Sequence, residues 1–219
     1  MPGAVFSDVE GTLVDANLPR LSVSLGRKMG YFSRWQVAQL GMLALLGKVL
    51  PGKLSTRMRL ASVTRAMAGQ REPDVHRLVE AVLPEVLSRI KPGSLARLKA
   101  HQSNGLPLVL MSGGPHELIT RLGDELGGRG EGTRYVKWGG RYLAKLDGPA
   151  CQGEGKAARA RSICKQEGYD LAASYAYGDT GNDIPLLNLF GHPHAVDPDE
   201  ELAAEATLRG WPIIRSGGE

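Results

Sequence analysis

The sequence predicts an α/β fold in which helices flank a parallel central sheet and an all-helical subdomain is inserted after the first strand. Short apolar runs alternate with amphipathic stretches through residues 91–219, which is the pattern of strands and helices in a parallel sheet. Residues 16–90 show helical periodicity throughout and are too many for a connecting loop. We therefore expect a core of residues 1–15 and 91–219 and a helical cap of residues 16–90.

The strands are predicted from short apolar or alternating runs. The first run, "GAVFSDV", ends near Asp8, and the second, "LPLVLMS", follows the first helix of the core. Gly139 and Gly140 separate two alternating runs, "TRYVKW" and "RYLAKL", which indicates a β-hairpin. Two further strands are expected in "SYAYGD" and "HAV".

The helices are predicted from their apolar periodicity and from the residues that start or stop them. Pro51 and Gly52 end one helix of the insert, Gly69 closes the next, and Pro73 suits the first turn of the last. The predicted helices cover residues 18–30, 33–50, 53–69 and 72–90 in the insert and 93–105, 114–126 and 153–168 in the core, with a further start at 184.

Composition and charge limit the classes of protein. The two cysteines, Cys151 and Cys164, give no sign of a disulfide framework, and no secretory signal is recognised, so a cytoplasmic protein is expected. The net charge of +4 is uneven, because residues 16–90 carry +8 and the remainder −4. Such a segment attracts anionic substrates, acidic lipids or nucleic acid, but its basic residues are spread out as on an ordinary solvated surface. No nucleic-acid partner is expected.

The segment from Trp35 to Leu50 is unusually apolar. Lys48 is its single charged residue, and eleven of its sixteen residues are apolar. It is shorter than the ~20 residues that a membrane-spanning helix needs. A buried helix of the insert is the first expectation, and a peripheral membrane contact, an oligomer contact or a wall against an apolar substrate are the alternatives.

Four polar clusters stand at predicted strand ends or at a facing helix start, where open α/β sheets bind ligands. In the first, Asp8 and Glu10 are separated by one residue and followed by Gly11 and Thr12. A carboxylate can attack phosphorus, and a second carboxylate nearby can transfer protons to and from oxygen. A plain polar turn is the alternative for this cluster taken alone.

Two clusters are suited to phosphate oxygens. Ser112 and Gly113 follow the second apolar strand and offer a hydroxyl and a small-residue backbone N–H. Lys156 lies at a predicted helix start, where a cation is disfavoured by the helix dipole unless an anion is bound nearby. In isolation, an ordinary turn and a solvated lysine are the preferred explanations of these residues.

The fourth cluster, "YGDTGNDIPLL", is the most specific. Asp179 follows an apolar strand, and Asn182 and Asp183 open the next helix. Mg²⁺ prefers hard oxygen ligands, which Asp179 and Asp8 together would supply. Asp183 is better placed to hold the loop or a metal-bound water.

With these four clusters in this order, the chain resembles the haloacid dehalogenase (HAD) superfamily of hydrolases over nearly its whole length. It is most similar to the phosphoserine-phosphatase-like branch, whose Rossmann-like three-layer sandwich carries a helical cap between the first and second motifs. The resemblance implies that Asp8 is the nucleophile and a metal ligand, and that Glu10 is the general acid and base and gives its backbone carbonyl to Mg²⁺.

The resemblance assigns the remaining site residues as well. It implies that Asp179 completes the protein ligands of the metal and that Asp183 orders the metal shell. It also implies the residues that contact the phosphoryl group, which are Ser112, Gly113, Lys156 and Asn182.

The chain departs from the family pattern in two places. Most phosphatases of the family have aspartate where this chain has Glu10, although the enolase-phosphatases of the same superfamily are similar to this chain in having "DxEGT". The glutamate that meets the substrate ammonium in phosphoserine phosphatases has no counterpart in "DANLPRLSVS", which weakens phosphoserine as a substrate. Arg57 and Arg59 are candidates for an anionic substrate group, with surface arginines as the alternative.

The predicted function is a Mg²⁺-dependent phosphomonoester hydrolase that acts on a small phosphorylated metabolite through an aspartyl-phosphate. A phosphotransferase on the same scaffold is one alternative. The other is a non-catalytic binding or membrane-associated module that has lost turnover through Glu10.

Overall fold

The computed structural model describes residues 1–49 and 52–216, and within these it leaves the side chains of residues 44, 46–49, 52–57 and 59 undescribed. Six parallel strands form the central sheet in the order β3-β2-β1-β6-β7-β8, and β4 and β5 form a separate antiparallel hairpin. The strands are β1 (Val5–Asp8), β2 (Leu108–Pro115), β3 (Arg129–Thr133), β4 (Tyr135–Trp138), β5 (Arg141–Leu146), β6 (Tyr175–Gly178), β7 (His192–Val196) and β8 (Ile213–Ile214).

Helices lie on both faces of this sheet and in the inserted segment between β1 and α5. A short 3₁₀ helix at Gly181–Asp183 precedes α8. The helices are α1 (Leu18–Lys28), α2 (Arg34–Val49), α3 (Gly52–Met67), α4 (Glu72–Leu87), α5 (Pro92–Ser103), α6 (His116–Glu125), α7 (Glu154–Glu167), α8 (Ile184–Leu187) and α9 (Glu200–Arg209).

Alternation along the strands creates two hydrophobic layers. Val5 and Leu110 belong to a layer shared with α4, α5 and α6, whereas Phe6 and Met111 belong to a layer shared with α7, α8 and α9. Successive residues of a strand point to opposite faces, so one short strand contributes to both layers. The predicted fold class, a parallel sheet between helical layers with an inserted helical segment, is confirmed. The boundaries at residues 16 and 90 stay a prediction.

Two strands were missed by the sequence prediction. β3 has the sequence RGEGT, and glycine is rare in strands, so no strand was expected there. A side chain at Gly130 would place its Cβ 1.8 Å from the Ile119 carbonyl oxygen of α6, so the close approach of helix and strand requires glycine. β8 is only two residues long, which is too short for any periodicity to be recognised.

The apolar helix of the insert is only partly buried. In α2, Leu40 is buried, but Trp35, Met42 and Leu45 are 74%, 60% and 62% exposed. The expectation of a buried helix is therefore wrong for these three side chains. Leu50, the last residue of the predicted apolar segment, lies outside the described residues. Among the helices in the described ranges, none combines the length and apolarity that crossing a membrane requires.

Candidate active site

A cleft of about 500 Å³ opens at the carboxyl ends of the central strands. Parallel strands bring their carboxyl ends to one edge of the sheet, so residues distant in sequence meet there. The cleft is lined by residues at the carboxyl ends of β1 and β2, in the segment after β6, and at or just before the starts of α1 and α7. The lining residues are Asp8, Glu10, Gly11, Asp15, Ala16, Asn17, Gly113, Gln152, Lys156, Asp179, Thr180, Asn182 and Asp183.

Lys156 joins two carboxylates at the centre of the site. Its Nζ donates to Asp8 Oδ1 at 2.5 Å and to Asp183 Oδ1 at 2.6 Å, and all three side chains are at most 9% exposed. Burial disfavours the ammonium, but the two carboxylates outweigh this effect and raise the pKa of Lys156. The lysine at the start of α7 is therefore held as a cation by buried anions, which explains a charge that the helix dipole alone would disfavour.

Asp179 lies beside this pair and is fixed by the turn after β1. The Thr12 hydroxyl donates to Asp179 Oδ1 at 3.1 Å. Gly11 has φ of +82°, and a Cβ at this position would lie 1.9 Å from Asp179 Oδ2. Glycine is thus required here both by the left-handed backbone and by the close carboxylate. Burial, followed by the Asp183 charge, raises the pKa of Asp179 to about 6.

These carboxylates fit a divalent cation. Asp8, Asp179 and Asp183 each offer an oxygen atom, and the three atoms lie within 4.8 Å of one another. Burial, and next the neighbouring charges, raise the pKa of Asp8 well above its ordinary value despite Lys156. A set of hard oxygen donors whose mutual repulsion is incompletely neutralised is the chemistry that Mg²⁺ prefers.

Asp183 has less freedom than the other two carboxylates. Its Oδ1 accepts from Lys156, and its Oδ2 accepts from Asp179 N at 3.3 Å and from Thr180 N at 3.4 Å. The Thr180 hydroxyl donates to the same oxygen at 3.3 Å. Both oxygens are therefore engaged in holding the loop and the lysine, which is the arrangement of a group that orients metal ligands.

Glu10 connects the site to the inserted helices. Its Oε1 accepts a hydrogen bond from the backbone N–H of Leu18, the first residue of α1, at 2.7 Å. Burial raises the pKa of Glu10 to about 6, although this hydrogen bond and Lys156 act in the opposite direction. A carboxyl group with this pKa can both give and take a proton near neutral pH.

Three of the four predicted phosphate-binding residues line the cleft, and the fourth, Ser112, is buried. Gly113, Lys156 and Asn182 line the cleft. Ser112 is 1% exposed, and its Oγ accepts from Gly114 N at 3.0 Å, so in this structure its hydroxyl supports the irregular carboxyl end of β2. The side chains of Arg57 and Arg59 lie outside the described residues.

Sequence reasoning missed residues that shape the same edge. Lys91 donates to the Gly11 carbonyl oxygen and forms an ion pair with Asp197 at 3.0 Å. These residues are far apart in sequence, and no local motif marks them. Asp15 and Gln152 line the cleft as well.

The two cysteines are unpaired, as the sequence suggested.

Comparisons with known proteins extend these observations. A probable phosphatase of Mycobacterium tuberculosis is 33% identical over 160 residues, which are 72% of this chain but only 55% of the relative. A phosphoserine phosphatase of the same organism is 32% identical over 222 residues, covering 97% of this chain and 70% of the relative. A solved structure of a Bordetella pertussis protein of unknown function superposes with a TM-score of 0.83 at 19% identity, covering 99% of both chains.

The family assignment follows from a match over most of the chain. The family model described as haloacid dehalogenase-like hydrolase matches residues 5–188. This span begins at β1 and includes the inserted helices, Lys156 and the loop that carries Asp179 and Asp183. The chain therefore belongs to the haloacid dehalogenase-like hydrolases, in the branch similar to phosphoserine phosphatases.

Proposed function

We propose that this protein is a phosphomonoester hydrolase in which Asp8 forms an aspartyl-phosphate. The observation that carries the proposal is the Asp8 carboxylate in the cleft, bound at 2.5 Å by the Lys156 ammonium. The relatives named as phosphatases support the reaction class. Because the chain spans little more than half of the first of these, the activity is inferred for this chain from its own residues.

The proposed first step is an attack of an Asp8 carboxylate oxygen on phosphorus. The P–O bond to the leaving group breaks, and the leaving alkoxide takes the proton of the Glu10 carboxyl. Glu10 is held for this by the hydrogen bond from Leu18 N. Lys156 and the backbone amides near Gly113 stabilise the negative charge of the phosphoryl oxygens.

In the second step, the Glu10 carboxylate removes a proton from water, and the water oxygen attacks the phosphorus of the aspartyl-phosphate. The bond to Asp8 breaks, which releases inorganic phosphate and restores the carboxylate. Asp8, Asp179 and the Glu10 backbone carbonyl would hold Mg²⁺, and Asp183 would orient this set. When bound, the metal supplies additional positive charge next to the phosphoryl oxygens.

The proposed role of the helical segment, residues 16–90, is to cover the cleft and select the leaving group. Glu10 contacts the first residue of α1, so the proton-transfer group and the cap share one hydrogen bond. The exposed side chains of Trp35, Met42 and Leu45 are candidates for a peripheral membrane or oligomer contact.

The central experiment compares wild type with Asp8→Asn on an aryl phosphate in the presence of Mg²⁺. We expect the variant to lose activity by at least ~10³-fold, because an amide cannot form the phosphorylated intermediate. Asp147→Asn, at an exposed carboxylate after β5, is the matched control and should retain activity.

Two outcomes would contradict the proposal. Activity retained in Asp8→Asn would exclude the nucleophile, and a wild-type protein inactive across a broad phosphomonoester panel would favour a non-catalytic module. Addition of an acceptor alcohol separates hydrolysis from phosphotransfer, because a transferase forms the phosphorylated acceptor as its main product, whereas a hydrolase still releases mainly inorganic phosphate.

A further inference from the structure

A second cavity lies within the helical segment and against the junction of β2 and α6. Its volume is about 70 Å³, well above the ~10–15 Å³ that a cavity needs to hold one water molecule. Residues of α1, α3, α4 and α6 line it, together with Phe32 before α2. Twelve of the fourteen lining residues are apolar, among them Val63, Val79 and Leu118.

The cavity offers nothing to a charged ligand group. Among the side chains that the structure describes, no charged one lines it, and two serines interrupt the apolar wall. One of these, Ser62, already donates its hydroxyl to the Leu40 carbonyl oxygen at 3.2 Å. Cavities of this composition exclude water and accept apolar groups. An ammonium or carboxylate placed there would lose its hydration without gaining a partner.

The cavity and the catalytic cleft share two walls. In α1, Asn17 and Leu18 border or contact the catalytic side, and Pro19 lines the cavity. At the carboxyl end of β2, Gly113 lines the cleft and Pro115 lines the cavity. A leaving group that extends from the phosphorus toward the helical segment therefore runs along chain segments that border both the cleft and the cavity.

We propose that this cavity binds the leaving group of the substrate, and that the substrate is a phosphomonoester of an apolar alcohol. This inference rests on the proposed phosphatase function. It identifies the substrate class from the cavity lining alone, and it assigns Val63, Ala66 and Val79 to specificity, remote from the reacting atoms.

The test measures kcat/KM for a series of n-alkyl phosphates from methyl to octyl, each below the concentration at which it forms micelles. The leaving alcohols have closely similar acidity, so the chemistry is constant and the chain length alone varies. We expect kcat/KM to rise about fourfold for each methylene that becomes buried, and to level off when the cavity is filled. Phosphoserine should be a poorer substrate than the longer alkyl phosphates.

A flat dependence on chain length, or phosphoserine as the best substrate, would overturn the inference while leaving the phosphatase function intact. Absence of activity on every ester, including aryl phosphates, would instead be a failure of the proposed function. Soluble monomeric esters are used because any gain then comes from the protein and not from a membrane surface.

A pair of variants locates the effect. Ala66→Phe places a ring in the cavity, and we expect the octyl-to-methyl ratio of kcat/KM to fall at least tenfold. Ala61→Phe is the matched control in the same helix, because Ala61 is exposed and lines only an outer groove, and it should keep the wild-type ratio. If Ala66→Phe does not fold, Val63→Met fills the same wall more gently. An unchanged ratio in the folded variant excludes this cavity as the binding site.

Discussion

At the carboxyl edge of the sheet, charged side chains are buried and joined by hydrogen bonds, whereas the helical segment buries apolar side chains around an open cavity. Asp183 alone takes part in four such bonds, and Lys156 binds two carboxylates. In contrast, the walls around Val63 and Val79 are held by apolar packing. The difference indicates that the proposed chemistry depends on fixed positions of the charged side chains. The shape of the cavity that meets the leaving group can change without displacing these side chains.

The largest effect is expected when the cation at the centre of the charged edge, Lys156, is removed. In Lys156→Met, two buried carboxylates lose their partner, so we expect activity to fall ~10²–10³-fold. The free energy of unfolding should fall by about 3–5 kcal/mol, as is typical when one member of a buried ion pair is removed. Phosphatase assays and urea unfolding measure the two effects.

Lys165→Met in the same helix is the control for this variant. Lys165 is exposed, and its replacement should change stability by no more than ~0.5 kcal/mol and leave activity intact. Equal losses in both variants would mean that α7 tolerates no such change, and the special role of the buried lysine would be disproved.

A smaller change tests how tightly the edge is packed. Gly11→Ala introduces a Cβ 1.9 Å from Asp179 Oδ2 at a backbone with φ of +82°. We expect activity to fall about 100-fold, because a displacement of ~1 Å in a catalytic group has effects of this size. The free energy of unfolding should also decrease, and urea titration measures this loss.

Gly30→Ala is the control that separates the steric clash with Asp179 from the strain of a left-handed backbone. Gly30, between α1 and α2, has the same φ of +82°, but no atom of the residues that the structure describes lies within 4 Å of the added Cβ. This variant should lose only the ~1–2 kcal/mol of a left-handed alanine and keep its activity. If both variants lose activity alike, close packing against Asp179 is not what fixes the site.

The comparison also explains what the sequence predicted well. β1 and the β4–β5 hairpin were recognised because their apolar residues follow a period of two or lie in a short buried run. The candidate site residues were recognised because each stands at a strand end or a helix start, where a polar residue needs a reason. Local patterns of this kind involve only a few neighbouring residues, so they can be recognised in the sequence.

Contacts between distant segments were not predictable in this way. β3 was missed because its glycines are required by the close approach of α6 and do not follow a strand pattern. Lys91 and Asp197 are 106 residues apart, and neither lies in a motif. The exposure of Trp35 was missed because apolarity alone does not tell which helices surround α2. These features depend on tertiary packing, which a single sequence does not display.

The Lys91–Asp197 pair gives the smallest expected effect, because it lies at the border of the buried edge and both side chains remain partly exposed. Burial opposes ionisation of Asp197, but hydrogen bonds from Ser216 and Lys91 outweigh it and lower its pKa to about 2. A carboxyl group whose pKa is lower in the folded state than its ordinary ~3.9 stabilises the fold above that value. Its contribution is lost as the pH falls from about 4 through about 2.

We therefore expect Asp197→Asn to lower the free energy of unfolding by about 1 kcal/mol at pH 7, a value reduced by solvent screening. The difference from wild type should shrink toward zero between pH 4 and pH 2, as measured by urea unfolding at each pH. Asparagine tolerates the positive φ of 43° at this position, so backbone strain does not add to the result. In a Lys91→Met background the effect should be smaller, and a pH-independent difference in both backgrounds would show that charge at Asp197 does not stabilise this border.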